Sequence, residues 1–372
     1  MKKNSSKKAQ SSKRLKSRAG DRLTIGMDLG DKTSRYCVLN EAGEVVLEDS
    51  VATTAGAVSK KFQGLAACRI ALEVGGHSPW VSRLLTKMGH EVIVANARKV
   101  QLISASSKKD DRLDAKLLAR LARVDPELLG PIRHRSEAAQ LDLMEIRVRS
   151  ALVEARSSLI NTARGLAKSI GQRLPSCDAD TMDAGRLAGL PPEVAQVLKP
   201  LLEEVESLTE RIKESNERVE QIAGTKYPET EQLRQVSGVG PLIALTFVLT
   251  IEDPTRFAKS RDVGCYVGLR PKRSESGESQ PQLRITKEGD VYLRKLLVQG
   301  AHHILSERGP DTDLQRFGKN VAGKGSKNGK KRAVVAVARK LAVLLHRLWV
   351  TGEEYEPLRN SKAADLVKQQ AA

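Results

Sequence analysis

The sequence predicts an α/β amino-terminal domain, a long helical middle and a mainly α carboxy-terminal domain. Three observations carry that expectation. Short apolar runs separated by tight turns open the chain, strand and helix patterns then alternate over residues 22–125, and from Glu137 onward apolar residues step by three and four. The 372 residues suffice for two or three domains. The expected divisions are a disordered basic arm at 1–21, an α/β domain at 22–130, a helical, coiled-coil-like connection at 131–231, a second globular unit at 232–350 and a tail at 351–372.

The first strand is Thr24–Gly30, TIGMDLG, an apolar run that ends in Asp28. Tyr36–Leu39 and Glu44–Leu47 follow, joined through Asn40–Gly43, a good hairpin loop, so the three strands are expected to be antiparallel. Thr53–Gln63 reads as helix and Cys68–Val74 as a fourth strand, with Glu73 at its end before Gly75-Gly76. Ser78 and Pro79 start a helix over Trp80–Met88, Gly89 stops it, and Glu91–Ala95 is the fifth strand. The next helix contains KKDDRLDAKLLARLARV. Asp111 and Asp114 are three apart and share a face, beside the stripe Leu113, Leu117, Leu118 and Leu121 that docks the helix on the sheet. Asp110 lies about 100° further round. This order of elements belongs to the ribonuclease-H-like α/β fold.

Glu137–Lys168 reads as one long helix with a stripe at Leu141, Met144, Val148, Leu152, Ala155, Leu159, Ala163 and Leu166. Gly171–Pro192 is a loop or short-helix excursion. Glu193–Ala223 is a second long helix with Leu201, Val205, Leu208, Ile212, Ser215, Val219 and Ile222 at heptad spacing. That spacing fits either a helical hairpin within the chain or a seam between subunits. Gln235–Ala244, QVSGVGPLIA, resembles a helix-hairpin-helix turn, whose amides can bind phosphate. Gly268–Gly277 is a polar loop, Ile285–Gly289 a turn and Val291–Leu305 a helix. Nine basic residues and no acid between Arg316 and Lys340 make a flexible cationic loop that leads into the apolar helix Ala333–Trp349.

Lysine and arginine number 63 against 45 acids, a net charge of +18, which points to a polyanion and first to nucleic acid. Residues 1–20 hold eight of those cations. Four scattered cysteines suggest neither a disulfide framework nor a zinc site, and the cytosol is the expected compartment. His302 and His303 are adjacent on a helix, point to different faces and are expected to be structural. No window is long and apolar enough to span a bilayer, so no membrane partner is expected. Aromatics are only 3%, so base stacking is not the expected main grip on nucleic acid.

Asp28, Glu73, Asp111 and Asp114 form one constellation: the ends of strands one and four, and an i, i+3 pair on the docking helix. Hard divalent cations take such oxygen ligands, and two of them can activate a nucleophile and stabilise a leaving oxygen in phosphoryl transfer.

These four acids resemble those of the DEDD transposases, whose first domain is similar to RuvC resolvase. The run from SGVGPLIALTFVLTIEDPTRFAKSRDVGCYVGLRPKRSESGES to LRITKEGDVYLRKLL is similar to the carboxy-terminal domain of the insertion-sequence family "one-ten", which includes the Piv-type DNA invertases. The resemblance covers about residues 22–350. It implies a site-specific recombinase whose four acids bind Mg²⁺ (or Mn²⁺) beside a serine that attacks DNA and forms a covalent phosphoserine. Ser276, immediately before Gly277, matches that serine; Ser274 and Ser279 stand nearby. The resemblance also implies donor and target DNA, a noncoding bridge RNA, a dimer assembling to a tetramer, and a prokaryotic cytoplasmic, nucleoid-associated setting. Arg270, Lys272, Arg273, Lys287 and Arg294 are expected to clamp the scissile phosphate, with Lys330, Lys331 and Arg332 as further nucleic-acid contacts.

Other readings begin the same way. Sugar kinases and actin-like ATPases also place D-x-G at a first hairpin but need a second, which is absent here. A RuvC-type nuclease would use the four acids with water as nucleophile. A site-specific invertase or a binding protein without catalysis would share the charge.

Overall fold

The computed structural model describes residues 22–103, 111–277, 279, 281, 283–323 and 327–361, without the side chains of residues 101–103, 111–113 and 327. The basic arm, the second half of the tail and Asp110 lie outside them. Two compact units, Met1–Arg135 and Ser136–Ala372, divide the chain.

In the first unit β1 (Thr24–Asp28), β2 (Thr33–Leu39) and β3 (Val45–Ala52) are antiparallel neighbours. β4 (Arg69–Glu73) runs parallel to β1 on its other side and β5 (Glu91–Ala95) parallel to β4, giving the order β3-β2-β1-β4-β5. The α-helices of the unit among the described residues are α1 (Ala55–Phe62), α2 (Ser78–Lys87), α3 (Ala97–Ile103) and α4 (Asp111–Val124). The mixed α/β order is the one the sequence suggests, with two additions. β3 runs on to Ala52 because it is an edge strand, so residues as polar as Glu48, Asp49 and Ser50 can occupy it. α3 is a separate short helix, started by the Asn96 side chain, which accepts a hydrogen bond from the Arg98 amide (3.1 Å).

Strand alternation sorts the core onto two faces. Ile25, Met27, Ile70 and Leu72 pack with Phe62, Val81 and Leu85 of α1 and α2. Gly26, Cys37 and Ala71 face the other way. On that side Ala115 and Ala119 of α4 pack on Cys37 and Leu39, and Leu118 and Ala122 pack on Ala71, Ile93 and Ala95. A Cβ on Gly26 would collide with the Ala115 carbonyl and the Ala119 amide, so α4 rests backbone to backbone on β1.

The second unit is helical: α5 (Glu137–Ser169), α6 (Pro192–Lys226), α7 (Glu229–Arg234), α8 (Pro241–Ile251), α9 (Arg261–Tyr266), α10 (Val291–Ile304), α11 (Asp313–Ala322) and α12 (Lys327–Thr351). Val205, Leu208, Ile212, Ser215 and Val219 of α6 are buried within this chain, where α5 packs along α6. The α6 stripe therefore closes an intramolecular helical hairpin rather than a seam between subunits. On α5 the inward face overlaps the expected stripe only in part: Ala139, Asp142, Leu143, Ile146, Arg156, Ile160, Ala163 and Ala167 are buried and Leu159 packs against that core, while Leu141, Met144, Val148 and Leu166 are exposed. Two ionic residues on the inward stripe hid it. Asp142 is held by Lys226 Nζ (2.7 Å) and Tyr227 Oη (2.9 Å), and Arg156 donates to Asp180 (2.6 Å) and Thr209 (3.2 Å).

Ala139, Leu143, Ile146, Val219 and Ala223 share one core with α8, α10 and α12. α8 is buried on every side, and the turn before it is closed by Gly238, whose missing Cβ lets Gly300 of α10 approach. The cationic loop expected over 316–340 is mostly helix: Arg316 and Lys319 lie on α11, and Lys330, Lys331 and Arg332 open α12. Among the described residues no helix is long and apolar enough to cross a membrane.

Candidate active site

Asp28 closes β1 and Glu73 closes β4. The parallel register pairs Met27 with Leu72, so Asp28 and Glu73 are the next neighbours and point to the same face as Gly26 and Ala71. That is the face covered by α4. The helix lies antiparallel to the two strands: Ala115 sits over Gly26, and seven residues later the Ala122 carbonyl accepts a hydrogen bond from Arg69 Nη1 (2.9 Å) at the start of β4. Asp111 and Asp114 therefore occupy the first turn of α4 at the same end of the sheet as Asp28 and Glu73. Small residues permit this approach. With a larger residue than glycine at 26, or than alanine at 115 and 119, the helix would stand away from β1.

Asp28, Glu73 and Asp114 are each half-buried. Arg35 is the direct cross-strand partner of Asp28. All four acids are hard carboxylate donors, the kind of ligand a divalent cation takes, and Asp28, Glu73 and Asp114 keep part of their surface in solvent. Among the described residues no three His, Cys, Asp or Glu side chains draw together as a metal-ready group, and the Asp111 side chain is not among those described.

The bracing of the loop after Glu73 has no signature in the sequence. Ser78 Oγ donates to the Gly75 carbonyl (2.8 Å), accepts from the Gly75 amide (2.9 Å) and lies 2.9 Å from His134 Nε2. His77 Nδ1 accepts from the Trp80 indole (3.1 Å), and its Nε2 lies 3.6 Å from Asp31 Oδ1 of the β1–β2 turn. Burial, reinforced by the Arg83 and Arg135 charges, holds the His134 pKa below its ordinary value, so the neutral ring is favoured there.

In the second unit Ser276 lies at the tip of an irregular hairpin. Ser276 and Ser279 exchange backbone hydrogen bonds (3.0 and 3.3 Å) across Gly277, whose φ is +55°. Pro271 pairs with Ile285, the Lys272 amide donates to Arg284 O (2.9 Å) and the Thr286 amide to Arg270 O (2.8 Å). Ser276 is exposed, as are Arg270, Lys272, Arg273 and Lys287 on the same hairpin. Two glycines with positive φ close its base. A Cβ on Gly268 would strike Glu288, and one on Gly289 would strike Tyr266.

Arg294 is a correction to the expected phosphate clamp. It is buried (8% exposed), and its Nη1 donates to Val267 O (3.0 Å) and Glu288 O (2.7 Å), one carbonyl on each side of the hairpin base. These two bonds tie its guanidinium to backbone on both sides, so it braces the hairpin that presents the other cations. Lys330, Lys331 and Arg332 are exposed on the first turns of α12. The four acids thus belong to the first unit, and Ser276 with the basic set belongs to the second.

Residues 25–171 match the family model of the IS110-type DEDD transposases, described as a transposase, and residues 230–315 match the transposase IS116/IS110/IS902 family. The chain is 27% identical over 339 residues to the transposase for insertion sequence element IS1111A of Coxiella burnetii, covering 89% of this chain and 90% of that protein. It is 25% identical over 323 residues to the transposase for insertion sequence element IS1328 of Yersinia enterocolitica, covering 86% and 94%. One match takes in Asp28, Glu73, Asp111 and Asp114, and the other takes in Ser276 with its hairpin. The chain belongs to the IS110 family of DEDD transposases, enzymes that process DNA.

Proposed function

We propose that this transposase is a site-specific recombinase that moves its own insertion sequence through a covalent phosphoserine on Ser276. The supporting observation is the approach of Asp28, Glu73 and the first turn of α4 at one end of a RuvC-like, ribonuclease-H-like sheet. Asp28, Glu73, Asp111 and Asp114 are the residues that would hold Mg²⁺, with Mn²⁺ as a substitute. When bound, the ion supplies positive charge that lowers the cost of a serine alkoxide and of the crowded phosphate.

Ser276 Oγ forms a bond to a DNA phosphorus and loses its proton to solvent. The bond from that phosphorus to one deoxyribose oxygen breaks, and the sugar oxygen takes up a proton as it leaves. A different sugar hydroxyl then attacks the phosphoserine and releases Ser276. One phosphodiester-type bond is exchanged for another at each step, so no external energy source is required. Arg270, Lys272, Arg273 and Lys287 flank the serine on an exposed hairpin and would orient the phosphate oxygens.

Two partners complete the reading. With 3% aromatics and a charge of +18, the protein is suited to grip phosphates and shape, while a bridge RNA reads donor and target sequence by base pairing. The exposed apolar stripe Leu141, Met144 and Val148 on α5 is the kind of surface a second copy would cover, consistent with a dimer that assembles to a tetramer.

The test is a trapping experiment. Wild-type protein incubated with element-end DNA and Mg²⁺, then denatured, should retain DNA covalently on the peptide that contains Ser276. Ser276→Ala should form no adduct. Cleavage without any adduct in wild type would instead indicate a RuvC-type nuclease that uses water, and an adduct that survives in Ser276→Ala would move the nucleophile elsewhere.

A further inference from the structure

A groove with a volume of about 1090 Å³ opens in the second unit between the base of the Ser276 hairpin and helices α11 and α12. Leu283 and Ile285 of the hairpin, Phe317 and Val321 of α11, and Val335 and Ala336 of α12 supply its apolar surface. Around them stand Arg284, Lys287, Lys331, Arg332, Arg339 and Lys340, and none of the described lining residues is acidic. Lys340 Nζ lies 4.0 Å from the centre of the Phe317 ring, so one wall is a cation and an aromatic ring held together.

We propose that this groove receives unpaired nucleotides of the DNA strand beside the scissile phosphate. The inference rests on Ser276 being the residue that attacks DNA. Charge selects a polyanion, since six cations ring the groove without an acid. The apolar surface selects an unpaired strand. A base pair in duplex DNA shows a protein only its edges, whereas an unstacked base offers a whole apolar face to a ring or an aliphatic wall.

The volume lies just above the range for small-molecule pockets, about 300–1,000 Å³, which leaves room for a nucleotide with its sugar. Position selects the strand. Pro271 lines the groove and lies five residues before Ser276, at most about 18 Å along an extended chain. DNA held at the serine is thus within reach of the groove. Strand exchange requires such a segment, because a cut end must leave one partner before it pairs with another. Composition suggested that stacking is not the general grip; the groove would confine it to one place.

The experiment uses the full chain and three fluorescent probes of one sequence: a twelve-nucleotide single-stranded DNA, its blunt duplex and the ribonucleotide version. Ala336→Trp fills the groove and Phe317→Ala removes its ring. Each should weaken single-stranded DNA binding about tenfold, in line with about 1–3 kcal/mol per stacked base, and change duplex binding less than twofold. In the unaltered protein, 5-iodouracil placed in the single strand should cross-link on irradiation to the hairpin base, α11 or α12, with Phe317 the expected residue.

Unchanged single-strand affinity in both variants would overturn the proposal, as would cross-links confined to other elements. A loss of RNA binding with DNA binding retained would also overturn it. So would a change in oligomeric state as the sole effect, since that would make the groove a contact between copies. Adduct formation is scored separately. If groove variants behave as expected but wild type forms no phosphoserine, the nucleophile assignment fails and with it the placement beside the scissile phosphate, while single-strand binding in the groove stands; an adduct with groove-independent binding gives the reverse.

Discussion

Asp28 sits next to Met27, which is fully buried on the opposite face of the sheet, so strand alternation alone turns the carboxylate toward α4. Half-exposed carboxylates contribute little to folding, and their removal should separate stability from chemistry. Asp28→Asn, Glu73→Gln, Asp111→Asn and Asp114→Asn are each expected to reduce strand exchange at least about a hundredfold. The unfolding free energy in urea should move by less than about 1 kcal/mol. Full exchange in any two of them would remove the metal assignment. Lys287 shows a different tension. Its φ of +59° is a left-handed conformation that disfavours a side chain, yet a lysine occupies it on the Ser276 hairpin and lines the adjacent groove. Lys287→Gly should raise the unfolding free energy by about 0.5–1 kcal/mol while weakening DNA binding, measured by urea titration and by fluorescence anisotropy.

Elements carry the placement of these side chains, and the contact between α4 and β1 carries most of it. Gly26→Ala forces a methyl into the α4 backbone, and helix and strand must separate. The expected cost is about 2–3 kcal/mol of unfolding free energy, with strand exchange lost in protein that is still folded, because Asp111 and Asp114 move away from Asp28 and Glu73. Unchanged stability and exchange would mean that α4 is free to shift. The sequence made much of this unit legible: apolar runs, turn residues and the i, i+3 acids place the strands and the docking helix without reference to packing. It failed where a charge was buried. The inward stripe of α5 contains Asp142 and Arg156, each with a partner distant in sequence, so the apolar pattern found Leu159 and Ala163 but otherwise pointed to exposed positions such as Leu141 and Met144. Arg294 misled for the same reason. A basic residue on a helix after a polar loop suggests phosphate, and only the carbonyls of Val267 and Glu288 show it to be structural. α11 was hidden because a run of cations between glycines looks like a loop until Leu314 and Gly318 find α12.

At the scale of the whole molecule, net charge predicts tight but salt-sensitive binding, and the structure sorts which cations can contribute to it. The exposed set on α12 should release counterions when DNA binds. Replacing Lys330, Lys331 and Arg332 with alanine should therefore reduce the slope of log affinity against log salt by about 2–3. Arg294→Met should leave that slope unchanged while lowering stability, because a buried guanidinium bonded to carbonyls has no counterion to release. Equal slope changes in the two variants would return Arg294 to the phosphate-contacting set. Acidity acts on the other unit. His90 and His134 both lie in Met1–Arg135, and burial lowers the pKa of each below the ordinary 6.5. For a base whose folded pKa is depressed, the unfolded chain binds the extra proton. Its stabilising contribution is complete above about pH 6.5 and is lost as the pH falls below that value. His134 has the additional consequence that its ring touches Ser78, which ties down the Gly75 loop two residues after Glu73. The chain has one tryptophan in each unit, Trp80 and Trp349, so Trp349→Phe leaves Trp80 to report on the first unit alone. In that background the urea midpoint should fall between pH 7.5 and 5.5. His134→Gln, which keeps a polar neighbour for Ser78 but cannot take up a proton, should flatten that fall and extend strand exchange to lower pH; an identical pH profile in His134→Gln would assign the acid sensitivity to His90 or to the carboxylates.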